Sequence, residues 1–286
     1  MKKLKKTIML VLGILVAGTL TLNAQNFQGI ATYQSARKMG GISIKGSNMS
    51  PEMEQQIQES LKKAGQKEYE LKFNLTESTW AEVESLGGAA SGGGTSVSSS
   101  FNGLRISSSG GGIKYKNNAK DLFVNETEVF GKLFLVESTL KNYEWELTNE
   151  TKKIGNYNAQ KAILTEMVER NVISFDNDDS QAATRIDTVK MEAWYTPEIP
   201  VSQGPDNFWG LPGLIMEVTD GKTTYLCTKL ILNPEGGVKI KKPSKGKKVT
   251  PEELKIITEE KSKEMMKKFS QGNGDGKTIK IEIGGN

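Results

Sequence analysis

The chain has 286 residues, with 38 Lys and Arg against 34 Asp and Glu, one Cys and no His. Without His there is no Ser-His-Asp or Cys-His nucleophile system and no His-ligated zinc or haem. A single Cys excludes internal disulfides and multi-Cys metal or cluster sites.

The formal net charge of +4 belongs to the first residues. Lys2, Lys3, Lys5 and Lys6 precede an apolar run over residues 8–22, and no acid occurs before Ala24. A cationic start, a short apolar run and a small residue after it describe an export signal. The run is short of the roughly 20 residues that a spanning helix needs. The reading is therefore a signal peptide over 1–24, cleaved near Ala24, and an exported remainder in the periplasm or outside the cell. No Cys stands at the cleavage point as a lipid anchor. The remainder, 25–286, is neutral, so nucleic-acid binding loses its electrostatic basis. Cys227 is then a lone thiol in an oxidising compartment, either buried in a strand or paired between molecules.

A first strand is expected over 27–34. Ser50-Pro51-Glu52 opens a helix, with a Ser cap and Pro at the first helical position. Met53, Ile57, Leu61 and Ala64 give it one apolar face, and Gly65 ends it. Tyr69, Leu71, Phe73 and Leu75 alternate with polar residues, the pattern of a half-buried antiparallel strand. Trp80 and Val83 read as its continuation. Residues 87–112 hold nine Gly and eight Ser. Such a composition buries too little surface to offset its ordering entropy. It reads as a flexible insertion with at most one weak strand at 104–106.

From Ile113 to Met167 the pattern is a β-meander, with strands at 113–115, 121–125, 132–137, 144–148, 151–154 and 160–165. Gly and Asn punctuate it. Asp176-Asn177-Asp178-Asp179 begins like a calcium loop, but Gln181 stands where the sharp turn needs Gly. An exposed acidic turn is the better reading, and no metal or other cofactor is called for. A strand follows at 189–195. Residues 214–218 and 224–232 form a hairpin around Asp220-Gly221. Residues 239–248 carry six Lys and no acid, a solvated loop or an anion contact. Thr250-Pro251-Glu252-Glu253 combines a capping box with Pro at the first position, and opens a helix to about Phe269. A short strand at 278–283 closes the chain.

The most distinctive stretch joins the strand at 189–195 to that at 214–218. It holds Trp194, Tyr195, Phe208 and Trp209 among four prolines and three glycines. Pro fixes φ, and Gly admits close backbone approach. A rigid aromatic corner follows, serving either as a structural crossover or as a ligand or partner surface. Trp194, Tyr195, Phe208, Trp209 and Pro212 are the candidate binding residues.

Gly210, Leu211, Pro212, Gly213, Leu214 and Ile215 spell GLPGLI. The chain resembles the GLPGLI family of secreted Bacteroidetes proteins. The resemblance extends to Tyr143-Glu144-Trp145, to residues 153–157 with Lys161-Ala162, and to residues 243–253. It implies no catalytic residues, because no activity is established for the family. Relatives carry a Cys at the position of Ala159; if that Cys pairs with one matching Cys227, this chain has lost the bridge. A weaker resemblance, to periplasmic lipoprotein-carrier proteins, rests on a Trp-containing strand, a Pro-ended turn and the Asp-Gly hairpin. It implies a strongly curved antiparallel sheet with helices over its concave side. The fold expectation is mainly β: a half-barrel with two amphipathic helices, or alternatively a β-sandwich. The functional expectation is a non-catalytic binding or accessory protein for an apolar ligand or envelope partner. The alternatives are a carboxylate-dependent hydrolase built on Glu198, Asp206, Glu217 or Asp220, and an assembly factor of the outer envelope.

Overall fold

The structure is a computed structural model, and it describes residues 27–37, 66–83, 98–101, 104–107, 112–176 and 179–272. The leader, the helix expected from Ser50 and the strand expected at 278–283 lie outside the described residues.

The described chain is mainly β. Its strands are β1 (Gln28–Arg37), β2 (Gln66–Asn74), β3 (Glu77–Glu82), β4 (Ser98–Phe101), β5 (Leu104–Ser107), β6 (Ile113–Asn117), β7 (Leu122–Val129), β8 (Lys132–Ser138), β9 (Glu146–Ile154), β10 (Tyr157–Asp176), β11 (Asp179–Thr196), β12 (Leu214–Thr219), β13 (Thr223–Leu232) and β14 (Lys247–Val249). One helix, α1 (Pro251–Gly272), follows. β4 and β5 pair only with each other; the other twelve strands form one open sheet. Its order is β14-β8-β7-β6-β3-β2-β1-β13-β12-β11-β10-β9.

Two meanders make this sheet. β1, β2, β3, β6, β7 and β8 run outward on one side, and β9 to β13 run back from the far edge until β13 pairs with β1. Residues 139–145 join β8 to β9, strands ten places apart in the sheet order. β14 adds a parallel strand beside β8.

Several expected elements change in extent. The strand expected from Tyr69 through Val83 is a hairpin of β2 and β3. Asn74 Oδ1 accepts from the amides of Thr76 and Glu77 at 2.8 and 2.7 Å, an Asx turn that reverses the chain. The two strands expected at 144–148 and 151–154 are the single strand β9. β10 and β11 run far beyond the expected 160–165 and 189–195. Part of the Lys-rich stretch, expected to be a loop, is β14.

The core lies on one face of the sheet. Ala31 and Tyr33 of β1, Leu71 and Phe73 of β2 and Trp80 of β3 are buried with Ile199, Val201, Leu214 and Met216. Tyr33, Tyr69, Trp80 and Tyr225 form one ring cluster, with Tyr69 stacked on Trp80 at 4.8 Å. Each fully buried side chain of this size contributes about 1.5–3 kcal/mol by leaving water. The end of the sheet is covered on both sides. Phe134 and Val136 meet Leu254 and Ile257 of α1. Tyr115, Val124 and Leu135 on the opposite face meet Ile240. The capping box that opens α1 forms as expected: Thr250 N donates to Glu253 Oε2, and Glu253 N donates to Thr250 Oγ1.

Cys227 belongs to the main core and is 7% exposed. Burial pushes its thiol up to about 12, with a weak bond to the Lys229 carbonyl opposing. At pH 8 the folded protein should react with a thiol reagent at least about a hundredfold more slowly than the urea-unfolded chain. Comparable rates would show that the thiol is accessible.

Candidate functional site

The connection from β11 to β12, residues 197–213, folds back over the buried face of the sheet. Pro197 ends β11, and Ile199 N donates to Thr196 O in a tight turn. Ile199 and Val201 then insert into the core at 0% and 1% exposure. Leu214 N donates to Ile199 O and Ile215 N to Gln203 O, so the connection is laced to the start of its own exit strand.

Four side chains of the β1–β6 meander reach the connection or its exit strand. Tyr33 Oη donates to Ile215 O at 2.6 Å. Ser78 Oγ donates to Gln203 Oε1 at 2.7 Å. Lys116, 2% exposed, points its ammonium into the turn and donates to the carbonyls of Gly204, Asp206 and Phe208 at 2.8, 3.0 and 2.7 Å. Those alternate carbonyls converge because Asp206 adopts φ +52°. Its carboxylate pairs with Lys114, two residues along on the same face of β6. Burial pushes the Lys116 ammonium down to about 7; the Asp206 carboxylate opposes this and Lys114 adds to it.

The GLPGLI segment explains itself within this frame. Gly210 has φ +96°, which a side chain would strain. At Gly213 a Cβ would stand 2.2 Å from Thr196 O, so only Gly lets the two arms of the connection approach. Leu211, Leu214 and Ile215 are buried, whereas Pro212 is exposed.

Above this corner the connection meets residues 139–145. Trp145 Nε1 donates to Trp209 O at 2.9 Å, and Trp209 Nε1 donates to Lys141 O at 2.8 Å. The rings of Tyr143, Trp145 and Phe208 lie 5.8–6.3 Å apart. Lys141 sits over Tyr143 at 5.2 Å and pairs with Glu166 of β10 at 2.7 Å. Burial raises the phenol pKa of Tyr143, and Glu166 and Asp206 add to the shift. All four aromatics remain half-buried. This clasp holds together two segments that are over sixty residues apart in the chain.

Not every candidate residue joins it. Phe208 and Trp209 are in the clasp, and Tyr195 packs beneath it beside Leu211 and Ile215, its hydroxyl on Gln160 at 2.8 Å. Trp194 alternates with Tyr195 and lies on the other face of β11. There Lys152 stands over its ring at 4.3 Å and pairs with Glu217 at 2.6 Å. Tyr143 and Trp145 were legible only as part of a family-like motif. No spacing rule connects them to Phe208.

The four acids around the corner are each engaged separately. Glu198 accepts from the Asn158 amide and side chain, Asp206 pairs with Lys114, and Glu217 pairs with Lys152. Asp220 accepts from the backbone amides of Lys222 and Thr223 in its own turn. Among the described residues no group of three or more His, Cys, Asp and Glu is placed to hold a metal ion. No helix among them is long and apolar enough to cross a membrane.

A family model described as a protein of unknown function (Porph_ging) matches residues 145–217, from the clasp through the GLPGLI segment to β12. That match is compatible with the resemblance read from the motif. Two solved structures of PNGF-II, in C2 and P21 crystal forms, are similar at a TM-score of 0.45 and 14% identity over 81% of this chain. The chain spans about a third of their length, 32% and 33%. No curated protein matches.

Two consequences follow for stability. Gly213→Ala should lower it by at least about 2 kcal/mol in urea denaturation, because the new methyl meets backbone rather than a movable side chain. Lys116→Met should cost roughly 2–4 kcal/mol by stranding three carbonyls, one buried and two partly buried. Its pH dependence has a definite sign. The unfolded lysine titrates near 10.5 and the folded one near 7, so between these values the unfolded chain binds more protons. The wild type should therefore gain on the Met variant as pH rises from 7 towards 10. An unchanging gap would show that the carbonyls keep the ammonium charged throughout.

Proposed function

We propose that this is an exported, non-catalytic binding protein that engages an envelope partner over its surface. The observation that supports it best is the filling of the sheet's buried face by the protein's own β11–β12 connection. Tyr33, Leu71 and Phe73 are at 0% exposure, packed in one cluster with Ile199 and Val201 of that connection. A carrier of an apolar ligand would use that face as its cavity. Here the chain itself occupies it, which favours partner recognition over ligand storage.

The half-barrel belongs to this reading. A flat sheet would separate strands ten places apart by about 48 Å at about 4.8 Å per strand. The segment 139–145 spans less than about 30 Å when fully extended. A strongly curved sheet reconciles the two.

The surface proposed for recognition is the clasp of Tyr143, Trp145, Phe208 and Trp209, with exposed Pro212 beside it. Rigid aromatics with a polar handle recur in interface cores and hot spots. The four acids favour no hydrolytic reading, since each already serves a separate turn or ion pair.

The mature protein isolated from the producing cell should begin at Gln25. A photo-crosslinking residue placed at Trp209 should trap a discrete envelope protein in those cells, while the same residue at Lys229 on β13 should not. Equal trapping at both positions would overturn the choice of surface. A stoichiometric co-purifying lipid in native mass spectrometry would overturn the choice of partner over ligand.

A further inference from the structure

The turn between β7 and β8 is built against local preference. Val129 and Lys132 close it as a strand pair, which leaves two loop residues. These are Phe130 at φ +49° and Gly131 at φ +75°. A two-residue hairpin loop with positive φ at both positions is met best by Asn-Gly or Asp-Gly. Gly131 suits its place and Phe130 does not. A bulky aromatic is strained in that region, which Gly and short polar residues enter readily. No core burial offsets the strain, because Phe130 is 45% exposed. Leu133, on β8 just past the turn, is 45% exposed as well.

Lysines rim these two side chains. Lys132 lies between them in the chain and is exposed. β14 brings the Lys-rich stretch to the same end of the sheet, pairing Lys247 with Phe134 and Lys248 with Leu135. Gly246 passes so close to β8 that a Cβ would stand 2.8 Å from the Phe134 carbonyl carbon and 2.9 Å from that of Leu133. Lys245, Lys247 and Lys248 are thereby held beside Leu133 and Phe134, and all three are exposed. The pairing sets Lys247 with Phe134 on the α1 face and Lys248 with Leu135 on the other, so cations flank both faces of this edge. The acids at this end have internal duties. Glu126 accepts from the Lys245 amide, Glu137 pairs with Lys242, and Glu128, opposite Leu133, has an interaction of its own.

We propose that this tip docks on an anionic membrane surface. Phe130 and Leu133 enter the interfacial layer, and Lys132, Lys245, Lys247 and Lys248 lie against the headgroups. The two kinds of side chain select this occupant together. Apolar side chains flanked by lysines match the boundary between acyl chains and charged headgroups. A pocket on a protein partner would accept the ring and the leucine, but it would not require cations on both faces of the edge. A plane of negative charge does. The strained φ holds the ring at the tip of the hairpin, where lipid reaches it; such strain is characteristic of sites kept for function. Two apolar side chains give a shallow, reversible attachment rather than a span. The tip shares no residue with the aromatic clasp, so the inference stands apart from the partner-binding reading above.

The test is co-sedimentation of the chain from Gln25 to Asn286 with lipid vesicles; the cationic leader is left out because it would bind anionic lipid by itself. Phosphatidylcholine vesicles containing roughly 30% phosphatidylglycerol should bind the protein at least about tenfold more tightly than pure phosphatidylcholine. Raising NaCl from about 0.05 M to about 0.5 M should release it, because exposed charges are then screened. Phe130→Asn separates docking from folding. It places a preferred residue in the turn, so Tm should hold or rise, while vesicle affinity should fall at least about fivefold. Lys247→Glu should lower affinity at least about fivefold, whereas Lys229→Glu, the same charge change on β13, should alter it less than about twofold. No binding to anionic vesicles, equal binding to neutral ones, or unchanged affinity in Phe130→Asn would each overturn the proposal. A fall in Tm together with lost binding would make Phe130 a packing residue and overturn it as well. So would self-association without lipid that Phe130→Asn abolishes, which would make a second copy the occupant.

Discussion

The fold depends on one buried ammonium. Lys116 enters the turn at 204–208 from below and binds three of its carbonyls. An uncompensated buried charge costs several kcal/mol. Three acceptors, with the Asp206 carboxylate close by, offset part of that cost, but only in the conformation in which alternate carbonyls converge. The ion thus selects a single path for the connection. That path brings Ile199 and Val201 into the core, sets Gly213 against Thr196, and leaves Phe208 and Trp209 beside Trp145. The hydrophobic side chains provide the larger free energy, about 1.5–3 kcal/mol each, yet they are not directional. Lys116 and Tyr33 supply the direction.

Ion pairs elsewhere play a smaller part. Lys152–Glu217 and Lys161–Glu192 lie on the face that carries Trp194, with side chains 14–37% exposed. Pairs open to solvent contribute about 1 kcal/mol or less. Their arrangement over the indole of Trp194 keeps that ring within its own sheet, which explains why an aromatic adjacent in sequence to Tyr195 does not join the clasp.

Where one sheet face is buried and the other solvated, the sequence is readable. Tyr69, Leu71 and Phe73 alternate because water and core select opposite residues, and the hairpin of β12 and β13 is legible for the same reason. β6 defeats that logic. Ile113-Lys114-Tyr115-Lys116-Asn117 looks like a strand with lysines facing water. The structure buries Tyr115 on one face and Lys116 on the other, because the distant connection arrives with carbonyls to receive an ammonium. The long β10–β11 hairpin was illegible for the opposite cause. Between Leu164 of β10 and Met191 of β11 no further strand pairs with this hairpin among the described residues, so Glu166, Glu169, Arg170 and Asp187 mix in sequence with Met167 and Ile186 and the strand signal fades. The clasp was invisible because Trp145 and Trp209 meet only through the folding of the whole sheet.

The motif itself is turned inward. Of its six residues, Leu211, Gly213, Leu214 and Ile215 are buried, and Gly210 is demanded by its φ. Only Pro212 offers a side chain to solvent without an evident structural duty. A chain can keep such a motif for the sake of the crossover while its surface changes freely around it. The motif therefore predicts the seal between two meanders and carries little about the partner. Under the proposed partner-binding function, specificity would reside in the half-exposed rings that the seal positions, Tyr143, Trp145, Phe208 and Trp209. Two proteins sharing the six-residue motif would then share an architecture without sharing a binding surface.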